Sequence, residues 1–122
     1  VSKKSHATYL APSGPPSPPF LPVAGDLYWV DTLLYTASDP APRRPAVVVE
    51  VPEPLHSPIR IATRTTNLEV RGVPHAAQPQ WGLEDGVFSD LNLVKKSEWC
   101  NPRVSLIGSL DTDTMDAVRD RF

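Results

Sequence analysis

GDLYWVDTLLYTASDPAPRRPAVVVEV, from Gly25 to Val51, places two strand signals on either side of a polar loop. DLYWVD, residues 26–31, is rich in aromatic and branched side chains and follows a glycine, as strands do. PAVVVEV, residues 45–51, is a nearly unbroken β-branched run and predicts a strand buried on both faces. Between them lie Asp39 and a double arginine that opens the second strand. Pro45 excludes the α region for the residue before it and so holds Arg44 extended. Arg43, one residue earlier, is expected to point to the opposite side.

Further strand signals follow at proline- and glycine-bearing connections. IRIATRTT, residues 59–66, alternates, with Ile59, Ile61, Thr63 and Thr65 on one side and Arg60, Ala62, Arg64 and Thr66 on the other. It predicts a half-buried strand with a charged outer face. GVFSDLN, residues 86–92, and RVSLIG, residues 103–108, are weaker strands. The end of the chain changes period: Met115, Val118 and Phe122 recur at helical spacing, with Asp111, Thr112 or Asp113 as the cap. Five short strands and one terminal helix predict a mainly β fold, a small curled barrel whose open end the helix covers.

The chain has 122 residues, enough for one domain. Of its 15 prolines, 6 fall in the first 22 residues, so residues 1–22 are expected to form an extended or disordered arm ahead of a compact domain over 23–122. Net charge is −2, which is unlike a strongly basic nucleic-acid binder. The charge is uneven, however: Arg43, Arg44, Arg60, Arg64 and Arg71 share a stretch with only three acids. A single cysteine, Cys100, excludes an internal disulfide framework. Lys3 and Lys4 have no apolar block behind them, so neither a secretory leader nor a membrane span is expected, and a cytoplasmic protein is.

Several kinds of chemistry lack their residues. His6, His56 and His75 are not at metal-ligand spacing, no Cys-x-x-Cys occurs, and neither a glycine-rich phosphate loop nor a Gly-x-Ser-x-Gly elbow is present. No metal or cofactor is expected. His56 and His75 bracket one strand and form the alternative acid–base pair. Arg44 is the better lead. A guanidinium stays charged, and its planar fork matches a phosphate. The competing reading is a surface arginine paired with Asp39 or Asp31.

The block GDLYWVD…SD…RRPAVVV resembles the opening of the MazF/PemK/Kid family of toxin endoribonucleases, including the 12-residue loop from Thr32 to Arg43. RIATRTTN, WGLEDGVFSDLNL and RVSLIGSLDTDTMDAV are similar to later parts of that family, so the resemblance spans residues 25–122. It implies an SH3-like barrel of the PemK/CcdB type, a homodimer, and metal-independent cleavage of single-stranded RNA at short sequences, an mRNA interferase. It also implies a toxin–antitoxin partnership, with an acidic, partly disordered antitoxin segment lying over the active groove. Arg44 falls at the family's catalytic arginine, Thr65 at its catalytic threonine with Thr66 as the neighbouring choice, and Asp39 at a loop acid. Asn92 or Asp90 lies near an acid that some members use.

The chemistry implied is attack of a ribose 2′-OH on the adjacent phosphorus, with Arg44 and Thr65 stabilising the charge that builds on the phosphate. Arg43, Arg60, Arg64, Thr66, Asn92 and Trp81 are the expected RNA contacts, the last by stacking on a base. Two other readings use the same barrel. One is a gyrase poison, against which the charged ending Arg119–Phe122 argues; the other is an inactive, regulatory binding protein.

Overall fold

The computed structural model describes residues 17–122. Six strands form one curled antiparallel sheet: β1 (Asp26–Asp31), β2 (Arg43–Glu50), β3 (Ile59–Thr65), β4 (Val73–His75), β5 (Gly86–Val94) and β6 (Val104–Ser109), followed by α1 (Thr112–Arg121). The strand order is β4-β5-β3-β2-β1-β6, so the sheet curls into a half-barrel with β4 and β6 at its edges. This is the mainly β barrel with a terminal helix that the sequence predicts, with one strand more. β4 escapes prediction because three residues with Pro74 at their centre carry no alternation to read.

The β-branched run of β2 is buried on both faces, as expected. Ala46 and Val48 enter one core with Tyr28, Val30, Ile59, Ile61, Val94 and Trp99. Val47 and Val49 enter a second core on the other face, with Leu27, Ala62, Phe88, Met115 and Val118. Cross-strand pairing keeps the two sets apart, with Ala46 opposite Thr63, Val47 opposite Ala62 and Val48 opposite Ile61. The terminal helix closes the second core through Met115 and Val118, with Phe122 packed beside them. Asp111 is its cap, accepting from the backbone N–H and the hydroxyl of Thr114.

Two expectations need correction. β3 is not a half-buried strand with a charged outer face, because both its faces are covered and Ala62, Thr63 and Arg64 are all buried. The proline-rich arm is not wholly outside the domain either. Ser17 and Phe20 donate backbone hydrogen bonds to the carbonyls of Asn101 and Trp99, and Phe20 packs against the first core. The part of the arm before Ser17 lies outside the described residues. Among the described residues no helix is long and apolar enough to cross a membrane.

Candidate active site

The site is built where the first core opens between the strands and the loop that joins β1 to β2. Asp31 starts that loop by accepting from the N–H of Leu33, which begins a 3-10 turn over Thr32–Leu34. The hydroxyl of Thr32 then donates to the carbonyl of Ala41 across the loop at 2.7 Å. Asp39 turns the chain by accepting from the N–H of Ala41 at 2.9 Å. Its carboxylate is thereby aimed at the mouth of β2.

Arg44 meets it there. Nε donates to Asp39 Oδ2 at 2.5 Å and Nη2 donates to Oδ1 at 2.9 Å, a two-pronged pair. Arg44 stands opposite Val30 on β1, which belongs to the first core, so its side chain leaves the sheet on that face. The guanidinium bonded to Asp39 holds that carboxyl below the usual carboxylate range, and Asp39 in turn raises Arg44. The side chains are only partly covered, 29% exposed for Arg44 and 14% for Asp39. Asp39 is therefore a brace for Arg44 and a poor proton acceptor.

Strand alternation brings further groups to the same face. Thr63, opposite Ala46, and Asp90, opposite Thr63, form one row across three strands. Thr65 lies two residues beyond Thr63. A bulge at Ser89 shifts the register of β5 by one residue beside this row. Together Arg44, Asp39, Thr63, Thr65, Asp90 and Asn92 line an open cavity of about 550 Å³. The hydroxyl of Thr65 accepts from the N–H of Asn67 at 3.1 Å, which leaves its hydrogen to donate elsewhere.

Tyr35 completes the wall next to Asp39. Burial pushes its phenol up to about 12, with the Asp39 charge adding to the effect, so it stays neutral. Its hydroxyl is buried without a hydrogen-bond partner among the described residues.

The structure thus gathers Arg44, Asp39, Thr65 and Asn92 around one opening. Thr66 is not part of this lining, but it borders, together with Thr65, a smaller adjoining cleft beside Arg44. Arg60 and Trp81 lie outside the cavity, whereas Arg64 borders it and, with Arg43, borders the adjoining cleft, each with guanidinium nitrogens bonded to the fold. Arg43 is 8% exposed and points to the opposite side, as its position predicts, where Nη2 donates to Ser105 Oγ and to the carbonyls of Trp29 and Pro102. Arg64 is 2% exposed and faces the second core, donating to His75 Nδ1 and to the carbonyls of His75 and Glu84. Arg60 pairs with Glu50 and reaches the carbonyl of Phe122. The partly buried Trp81 ring packs over Gly108 against the second core.

Sequence reading missed Thr63 and Ser89 as parts of the site. Thr63 alone had a visible signal, its place on the Thr65 side of the alternation.

The histidines do not form an acid–base pair. His56 borders a separate apolar cavity, and His75 sits behind Arg64. Burial, and then the Arg64 charge, lower His75 and keep it neutral. Among the described residues no three His, Cys, Asp or Glu side chains are placed to hold a metal ion. Comparison with known protein families and with curated proteins finds no family model and no curated protein that matches this chain.

Proposed function

We propose that the protein is the toxin of a type II toxin–antitoxin pair, an endoribonuclease that cuts single-stranded RNA without a cofactor. One observation carries this reading. A guanidinium braced by Asp39 shares an open polar cavity with the hydroxyl of Thr65, an arrangement suited to a phosphodiester. The ribose 2′-oxygen attacks the adjacent phosphorus and the P–O5′ bond breaks. The products are a 2′,3′-cyclic phosphate and a 5′-hydroxyl. Arg44 and Thr65 stabilise the phosphate oxygens as charge builds on them. The 2′-OH proton leaves to solvent and the departing 5′-oxygen takes one from solvent, because Asp39 is held ionised by its pairing with Arg44 and binds protons weakly.

An antitoxin with an acidic, partly disordered segment would compete with RNA for Arg44. A homodimer is part of the same proposal, and Leu106 on the edge strand β6, 62% exposed, supports a covered edge. The reading is tested by incubating the protein with mixed-sequence single-stranded RNA and a chelator. Cleavage with cyclic-phosphate ends is the expected result; folded protein that cuts no RNA rules it out.

A binding protein without nuclease activity is the second reading. It is favoured by the Asp39 carboxylate, which already occupies two donors of Arg44.

A further inference from the structure

The cavity has two chemically different ends. Arg44 is the cation at one end. At the other end the polar groups turn acceptor oxygens outward. The amide nitrogen of Asn92 donates to Thr63 Oγ1 at 3.3 Å, and Thr63 Oγ1 donates to the carbonyl of Asp90 at 3.3 Å. This relay uses one N–H of the Asn92 amide and leaves Oδ1 free to accept. Asp90 is exposed, and its Oδ2 accepts from Ser89 Oγ at 3.2 Å. It makes no ion pair among the described residues, unlike Asp39. Asp90 is thus a carboxylate in the cavity wall with accepting capacity to spare.

Its distance from Arg44 suits one nucleotide. Asp90 opposes Thr63 and Thr63 opposes Ala46, two strand spacings or ~10 Å across the sheet, and Arg44 is two residues along from Ala46. A phosphate on Arg44 would carry its base toward Asp90.

We propose that Asp90, with Asn92 beside it, forms a base-reading subsite for guanine next to the scissile phosphate. Unpaired bases are read on their Watson–Crick edges. An ionised carboxylate accepts only, and it pairs best with two adjacent donors. Guanine presents two there, N1–H and N2–H. Adenine and cytosine present one amino group beside a ring nitrogen that accepts, and uracil places its single N–H between two carbonyls. Each of these three sets an acceptor against the Asp90 carboxylate. The backbone row that carries Asp90 is held by strand pairing on Thr63, so the subsite is built on the sheet and not on a loop.

The inference rests on the nuclease reading for the identity of the polymer, but it can be tested without catalysis. The full chain is titrated with 3′-GMP, 3′-IMP and 3′-AMP by calorimetry. IMP keeps N1–H and lacks the 2-amino group, whereas AMP lacks both donors. The expected order is GMP, then IMP, then AMP, with GMP binding about tenfold or more tighter than AMP.

Asp90→Asn should bring the three within about twofold of one another at an unchanged unfolding midpoint, because an amide can turn a donor to each base. Arg44→Ala should weaken all three alike. Equal binding of the three by the wild type, binding of none, or a preference that survives Asp90→Asn overturns the subsite. Guanine-selective binding without RNA cleavage would uphold the subsite and remove the nuclease. Cleavage with equal nucleotide binding would do the reverse.

Discussion

Arg43 and Arg44 are neighbours in the chain and opposites in the fold. Arg44 leaves β2 on the face of the first core, meets an acid, and stays partly exposed in a cavity wall. Arg43 leaves on the other face, where Ser105 and two backbone carbonyls take Nη2. Arg64 repeats the second pattern one strand away, with His75 and Glu84 as its acceptors. An arginine buried among carbonyls ties segments of chain together. An arginine held by one carboxylate at an opening keeps a charged edge for something that arrives from outside. The number of positive charges in a stretch therefore says little about binding; the face from which each leaves the strand says more.

This contrast predicts opposite mutant behaviour. The largest effect on stability is expected at Arg64. Replacing it with Ala strands the buried His75 Nδ1 and two carbonyls and opens a void, at a cost of about 3 kcal/mol or more. Chemical denaturation measures this, and a loss under ~1 kcal/mol would erase the distinction between the faces.

A smaller loss is expected at Gly86, over which the Arg64 guanidinium lies. A Cβ there would sit 2.6 Å from Arg64 Cζ and 2.9 Å from the carbonyl of Thr65. Gly86→Ala should cost about 1–3 kcal/mol in the same assay.

Acid should act through the same face. His75 is neutral in the fold with its proton affinity lowered by burial, while the unfolded chain keeps the ordinary value of 6.5. Below that pH the unfolded state takes up a proton that the fold resists, so stability present above pH 6.5 declines as pH falls. His75→Gln should flatten that part of the pH–stability profile. The smallest effect belongs to the other face: Asp39→Asn should change stability by about 1 kcal/mol or less, as for other partly exposed pairs.

The same contrast explains what could be read in the chain beforehand. β2 was legible because a β-branched run has one economical use, burial on both faces. That Arg43 and Arg44 leave β2 on opposite faces was legible because strand period is two and proline restricts its predecessor, but the burial of Arg43, an expected RNA contact, was not. Local pattern narrowed the helix cap to Asp111, Thr112 or Asp113, of which Asp111 serves.

Arg64 was not legible. Alternation assigns it a face correctly but cannot say that β4, α1 and the second core cover that face, nor that His75, 11 residues later, waits as acceptor. The site residues that escaped the sequence reading come from separate segments, Thr63 from β3 and Ser89 from β5. The bulge at Ser89 shifts the register by one, which no reading of period two anticipates.

The central claim is that Arg44 serves a ligand and not the fold. It is tested most directly by measuring, on one Arg44→Ala preparation, both the rate of single-stranded RNA cleavage and the free energy of unfolding. The account predicts a rate lower by 10²-fold or more, ~3–4 kcal/mol of barrier, with stability within about 1 kcal/mol of the wild type. A stable variant that cuts at the wild-type rate would contradict it.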